Sequence, residues 1–403
     1  MQANARTKQT PRDLNFEADL FDALKSNRLN FHEDNYDTFF RGPVPEKPKM
    51  TAALTREMKE LLSDGPFIAN LKMKATKLLS SLKESTAFYL LPQHYFRNTL
   101  AHYRKFEYLY QRLSDSYSRE LLISLLAYRI LGFRKIKLAR NSPAYWEGIE
   151  QAQKLDTGLP AIRVPLLTWP LHCFDVKSLG FDMRVYTYAQ GLAINFVQKQ
   201  YVLKRDGVVC KAEPGDVVID AGGCWGDTTL QFACEAGAKG HVYAFEFAPN
   251  NLEVMRKNIG LNPHLAPLIT VVENPVGAQS GGKMFYLENG PASRVASTKV
   301  DERYIECAIV SIDQFATDKK LEKVDFIKMD IEGSELDALK GAEQTIRKFK
   351  PKLAICIYHK PDDYITIPKY LSELQLGYRF YIAHHTIFLG ETVLFAVPAS
   401  EPD

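Results

Sequence analysis

The sequence predicts an α/β protein: a mostly parallel, doubly wound sheet with a terminal antiparallel hairpin, preceded by an α-helical N-terminal region. Three observations predict it. After Gly215, strand-like apolar runs alternate regularly with helical stretches, the pattern of a parallel sheet covered on both faces. The last two strand-like runs, "YRFYIAHH" and "ETVLFAVP", are joined by too few residues for a crossover helix, so they should pair antiparallel. Between about 51 and 155, apolar residues recur three and four apart.

Residues 1–50 end in "RGPVPEKPKM", where three prolines among alternating charges mark an arm or linker. The helical region, 51–155, contains "TAALTREMKELLS", "FIANLKMKATKLLSSL" and "YRKFEYLYQRLSDSYSRELLISLLAYRILGF". Its greasiest part, "LLISLLAYRILGF" at 121–133, is too short for a bilayer span and holds Arg129, so it reads as a buried helix. Residues 156–210 are short aromatic and apolar runs broken by Pro160, Pro165, Pro170 and Gly180, a connecting segment that could wall a cleft. From 211 to 398 the strands are "DVVIDAGG", "HVYAFEF", "ITVVEN", "VDFIKMD", "KLAICIY" and the two of the hairpin, with helices at "DTTLQFACEAG", "PNNLEVMRKNIGLN" and "SELDALKGAEQTIRKF".

A formal net charge of +3 on 51 basic and 48 acidic residues argues against a nucleic-acid surface and for small or neutral partners. The six cysteines form no CxxC pair and lie in apolar segments, as reduced thiols of a cytoplasmic protein do. The N-terminus lacks the apolar core of a secretory signal, and no transmembrane segment is expected.

The strongest local signal is "VVIDAGGCWGDTTL", a strand, a turn with Gly222, Gly223 and Gly226, and a helix. Such a turn lets a ligand approach the backbone and offers it the N–H groups of a helix start. Asp220, two residues before Gly222, would oppose a pyrophosphate and favours a ligand with a positive centre, such as S-adenosylmethionine, over a nicotinamide dinucleotide. Glu246, ending the next strand, is placed to accept from both ribose hydroxyls of either cofactor. Asn274, ending the third strand, is a candidate for the adenine edge or a plain turn residue before Pro275.

In "VDFIKMDIEGSELDALKGA", alternation puts Phe326, Lys328, Asp330 and Glu332 on one face and Ile327, Met329 and Ile331 on the other. Gly333 then breaks the strand, and Ser334 and Glu335 open a helix as capping residues. The charges thus collect at the carboxyl end of a strand, where open α/β sheets bind ligands. Lys328 lies deeper and should pair with Asp330 or Asp220.

Five motifs, "PGDVVIDAGGCWGDTTLQFA", "GHVYAFEFAPNNLEVMRKN", "VDFIKMDIEGSELDALKGAEQTI", "KPKLAICIYHKPDD" and "YRFYIAHHT", resemble in order and spacing the FkbM-type S-adenosylmethionine-dependent methyltransferases. The resemblance covers roughly 205 to 397, and "LSDSYSRELLISLLAYRILG" is similar to the helical lead-in of longer bacterial members; residues 1 to about 100 fall outside it. It implies the Rossmann-like sheet of class I methyltransferases and a methyl acceptor that is a hydroxyl of a sugar, glycan or natural product. It also implies that Asp220, Gly222 and Gly226 border the methionine moiety, Glu246 holds the ribose and Asp330 sits beside the reacting methyl.

Methyl transfer to an alcohol needs alignment and removal of a proton. His359 of "CIYHKPDD" titrates near neutrality and is the expected general base, with Asp330 orienting it or the hydroxyl, Glu332 nearby, and His384 and His385 as candidates for the acceptor pocket. Asp330, Glu332 and His359 could instead hold a divalent cation, but no third fixed oxygen ligand is apparent and no metal is assigned. Competing readings are an NAD-dependent oxidoreductase on the same sheet and a non-catalytic scaffold. The sequence does not name the acceptor, distinguish O- from N- or C-methylation, or decide whether residues 51–155 cap the site or form a homodimer interface.

Overall fold

The computed structural model describes residues 14–36, 93–165, 167, 169–288, 290, 293–296 and 298–399. The two helices expected between 51 and 82 lie outside the described residues. Seven strands form the central sheet: β1 Val217–Ala221, β2 His241–Phe245, β3 Ile269–Val272, β4 Phe326–Met329, β5 Lys352–Cys356, β6 Tyr378–His384 and β7 Thr392–Pro398. Their order across the sheet is β6-β7-β5-β4-β1-β2-β3. The first five run parallel, and β7 lies antiparallel between β5 and β6. Strand order reverses between β1 and β4, which makes their carboxyl ends the crevice of the fold.

Alternation decides the two faces. Val218, Phe326, Ala354 and Phe395 enter one apolar core, and Ile219, Ile327, Ile355 and Leu394 enter the other. Both faces are covered, which is why these strands read as near-continuous apolar runs. The second core is shared with helices Gln93–Arg112 and Ser116–Leu131 through Leu109, Leu122 and Leu125. Asp115 caps the latter helix, accepting from the Ser118 N–H at 2.9 Å, and its greasy run is buried as expected. Part of the expected arm is not an arm: Phe16–Asn27 is helical and buries Phe16, Leu20 and Leu24 against the same core. Its apolar residues at a four-residue spacing make that stripe, and the proline-rich end of the segment masks the signal.

The connecting segment contributes the hairpin His172–Asp175 with Arg184–Thr187, a helical turn Ala189–Leu192 that widens into π-helix at Ala193–Val197, and the hairpin Leu203–Arg205 with Val208–Cys210. The single helix expected after β4 is two, Glu335–Lys340 and Glu343–Phe349. A side chain at Gly341 would meet the Gly277 carbonyl at 2.0 Å, and Asp313 caps the second piece by accepting from Gln344 N and Thr345 N. A small sheet of Lys283–Leu287, Arg294–Ala296 and Ile305–Ala308, absent from the sequence reading, follows β3. Among the described residues no helix is long and apolar enough to cross a membrane.

Candidate active site

Two adjoining hollows open at the carboxyl edge of the sheet, and Gly222 lines both. Gly222 has φ +84°, and a Cβ there would lie 2.0 Å from the Asp330 carbonyl oxygen, so the loop after β1 passes directly over the end of β4. The Gly222 and Gly223 N–H groups both donate to the Phe245 carbonyl at 3.0 Å, tying the loop to β2. Gly223 and Gly226 face Met255 instead: a Cβ would come within 2.7 and 3.0 Å of its side chain. Close packing of the loop on helix Pro249–Gly260 therefore accounts for Gly223, and packing together with a φ of +80° for Gly226.

Beneath the loop, Lys328 and Asp220 are direct partners in the β4–β1 register. Lys328 Nζ lies 3.0 Å from Asp220 Oδ1 and donates to the Gly222 carbonyl at 2.6 Å, with side-chain exposures of 2% and 0% for the pair. Asp220 Oδ2 accepts from the hydroxyls of Thr228 and Thr229 at 2.9 and 2.7 Å. The expectation that Asp220 touches a bound cofactor is thereby corrected. Its carboxylate is fully buried and engaged by Lys328, Thr228 and Thr229 inside the protein, on the same face of β1 as the core residue Val218. Burial would strip Lys328 of its proton, but Asp220 and Asp330 outweigh it and keep the ammonium charged.

The hollow over β2 and β3 is lined by Glu246, Asn274, Phe247 and Met284 among others. Glu246 Oε1 accepts from the Phe247 and Ala248 N–H groups at 2.7 and 2.8 Å, whereas Oε2 has a single longer contact, from Asn251 Nδ2 at 3.2 Å. The backbone thus fixes one oxygen and leaves the other able to accept from a diol. Asn274 lines the same hollow while its Nδ2 donates to the Ala308 carbonyl at 3.1 Å.

The second hollow holds the carboxylates Asp227, Asp330, Glu332 and Glu391 with Lys328, Tyr201 and Tyr358. Strand geometry ends at Met329, so Glu332 reaches the cleft from a turn with φ +54°, not by alternation. Asp330 Oδ2 accepts from the Tyr201 hydroxyl at 2.7 Å and Oδ1 from that of Tyr358 at 3.2 Å. His359 Nε2 lies 3.3 Å from Asp330 Oδ1 and 3.7 Å from Glu332 Oε1, and Nδ1 is 2.8 Å from Glu335 Oε1. Burial would keep this imidazole neutral, but the Glu335 hydrogen bond and the three negative charges push its pKa up to about 10. These carboxylates favour the protonated ring, which weighs against His359 as the general base. In return, although burial raises Asp330, the charges of His359 and Lys328 and the Tyr201 hydroxyl hold it below the usual carboxylate range.

Sequence reasoning took Glu335 for a helix-capping residue. It is fully buried, accepts from the Ile331 and Gly333 N–H groups at 2.9 and 3.4 Å, and anchors His359. Asp330, Glu335 and His359 each offer a ligand atom within 4.8 Å of the others, the spacing of a cation site. His384 and His385 do not line either hollow; burial drives the first down to about 3 and the second well below its ordinary value, so both rings are neutral. Glu391, Tyr188, Asn195, Gln200 and Tyr201 were missed. Only the connecting segment's aromatic content and the "GE" before the last strand hinted at them.

Residues 210–380 match the family profile described as the methyltransferase FkbM domain. Hexuronic acid methyltransferase AglP of Haloferax volcanii is 28% identical over 168 residues, which are 41% of this chain and 66% of the relative, so the chain spans just under two-thirds of that protein. Among solved structures, a methyltransferase FkbM from Methylobacillus flagellatus is similar at 21% identity and TM-score 0.48, covering 75% of this chain and 60% of the other. Aeropyrum pernix fibrillarin with bound S-adenosylmethionine is similar at 12% identity and TM-score 0.31, covering 59% and 99%. Residues 210–380 are thus a methyltransferase FkbM domain.

Proposed function

We propose that this protein is an S-adenosylmethionine-dependent O-methyltransferase acting on a hydroxyl of a sugar, glycan or natural product. One observation carries the reading: a hollow with a half-satisfied carboxylate, Glu246, meets a carboxylate-lined hollow at Gly222, on the crevice edge of the sheet. The FkbM domain and a relative named for methylating hexuronic acid support it. On this reading residues 211–398 carry the chemistry, and Tyr188 to Tyr201 of the connecting segment form the opposite wall.

Glu246 Oε2 would hold the ribose, Asn274 would border the adenine, and Gly222 would lie against the methionine end, with Asp220 acting through the loop it supports. When bound, S-adenosylmethionine supplies an electrophilic methyl group. Asp330 orients the acceptor hydroxyl and takes its proton. A carboxylate of ordinary or lowered pKa is basic enough, because the hydroxyl becomes strongly acidic as its oxygen gains the methyl. His359 and the two tyrosine hydroxyls hold Asp330 ionised and in place, and Glu332 adds negative charge beside them. Calorimetry with S-adenosylhomocysteine tests the cofactor assignment. Glu246→Gln should raise Kd about ten- to a hundredfold, the loss expected for a hydrogen bond to a charged group. Binding of NADH in its place would refute the reading.

A further inference from the structure

Two of the carboxylates lining the cleft accept hydrogen bonds from side-chain amides rather than from cations. Asp227 Oδ2 accepts from Asn195 Nδ2 at 3.0 Å, and Glu391 Oε2 accepts from Gln200 Nε2 at 2.6 Å. Glu391 is carried at φ +60°, a left-handed conformation that is costly for glutamate, immediately before β7. It is aimed among Asp330, Tyr358 and His359 from the strand ends and Tyr188, Tyr201 and Gln200 from the opposite wall.

The cations nearby are committed. Among the described lining residues Lys328 is the basic one, and it serves Asp220 and the Gly222 carbonyl; His359 serves Asp330, Glu332 and Glu335. Asp220, Asp227, Asp330, Glu332, Glu335 and Glu391 thus surround two positive groups, and burial together with the Asp330 charge lifts Glu391 to about 7, a carboxyl that an incoming ammonium would ionise. A cofactor with a sulfonium, an ammonium and a carboxylate adds one net positive charge, which leaves the cleft acidic. Trp225, 2% exposed and lining the same cleft, has an Nε1–H without a hydrogen-bond partner among the described residues, a donor suited to a polyol oxygen.

We infer that the acceptor taken by this cleft is an amine-bearing polyol, such as an amino sugar, whose ammonium Glu391 receives, and that acidic acceptors are rejected. The inference rests on reading the cleft as the methyl-acceptor site. It also separates this chain from the relative named for a hexuronic acid, because a uronate would bring a like charge against Glu391 and Asp330.

The test is calorimetric titration of the full chain, saturated with S-adenosylhomocysteine, with methyl glucosaminide, methyl glucoside and methyl glucuronide, in EDTA and again with Mg²⁺. The glucosaminide should bind at least tenfold tighter than the glucuronide, with the neutral glucoside between them. Glu391→Gln should remove most of that ratio, and Glu391→Asp should keep its sign, while affinity for S-adenosylhomocysteine stays within threefold. Equal or tighter binding of the glucuronide with or without Mg²⁺, binding of none of the three, or an unchanged ratio in Glu391→Gln would overturn the inference. Failure of S-adenosylhomocysteine itself to bind, measured before any sugar is added, would instead overturn the cofactor reading beneath it.

Discussion

Replacing Lys328 with Met tests the pair on which the cleft floor rests. The substitution keeps the length of the side chain and removes its charge, leaving Asp220 at 0% exposure with two threonine hydroxyls and no cation, and the Gly222 carbonyl without its donor. Breaking a buried pair from one side costs about 3–5 kcal/mol, mostly the desolvation of the stranded charge. Asp220→Asn strands the ammonium instead and should cost a similar amount. The double change, Lys328→Met with Asp220→Asn, strands neither charge and should be less destabilised than the sum of the single changes by at least about 2 kcal/mol. Urea unfolding followed by circular dichroism at one pH gives all three values. A cost below about 1 kcal/mol for Lys328→Met, or strict additivity in the double variant, would show that the pair does not support the loop.

Three further outcomes are expected. Asp330→Asn should lower turnover about 10²- to 10⁴-fold, the range for loss of a positioned proton acceptor, with S-adenosylhomocysteine affinity preserved; near-normal turnover would remove Asp330 from the chemistry. His359 has a pKa raised from 6.5 to about 10, so its contribution to stability is full below about pH 6.5 and fades as pH rises toward 10. The stability difference between the native chain and His359→Gln should therefore shrink across that window, and a difference independent of pH would contradict an imidazolium. Gly222→Ala places a methyl group 2.0 Å from the Asp330 carbonyl at φ +84°, so the loop must move; cofactor binding should be lost and the melting temperature lowered, whereas a variant that binds normally would refute the close approach.

Much of the fold was legible because its signals are local. Each strand of the sheet carries its own apolar run, Gly222 and Gly226 adopt the positive φ that the turn after β1 needs, and seven residues between β6 and β7 leave no room for a crossover helix. The small sheet after β3 was not legible, since charged residues such as Arg294 and Glu306 fall within its short strands and leave no continuous apolar run. The break at Gly341 was hidden for another reason: a glycine in a helical pattern is tolerated, and only the Gly277 carbonyl pressing on it forces the interruption.

The sequence by itself determined which residue types gather at the carboxyl edge of the sheet, because alternation and strand order need only the chain's own pattern. It placed Asp220, Glu246, Asp330 and His359 there, and Glu246 and Asp330 do line the hollows. Only the tertiary structure decided what each can do. Lys328 chose Asp220 over Asp330 because the two face each other in register, Glu335 turned inward to hold His359, and three carboxylates favour on that ring the proton that weighs against it as a base. Protonation and pairing depend on charges brought within about 4 Å from distant parts of the chain, as Glu391 and Gln200 are brought together, and no spacing along the sequence encodes that distance.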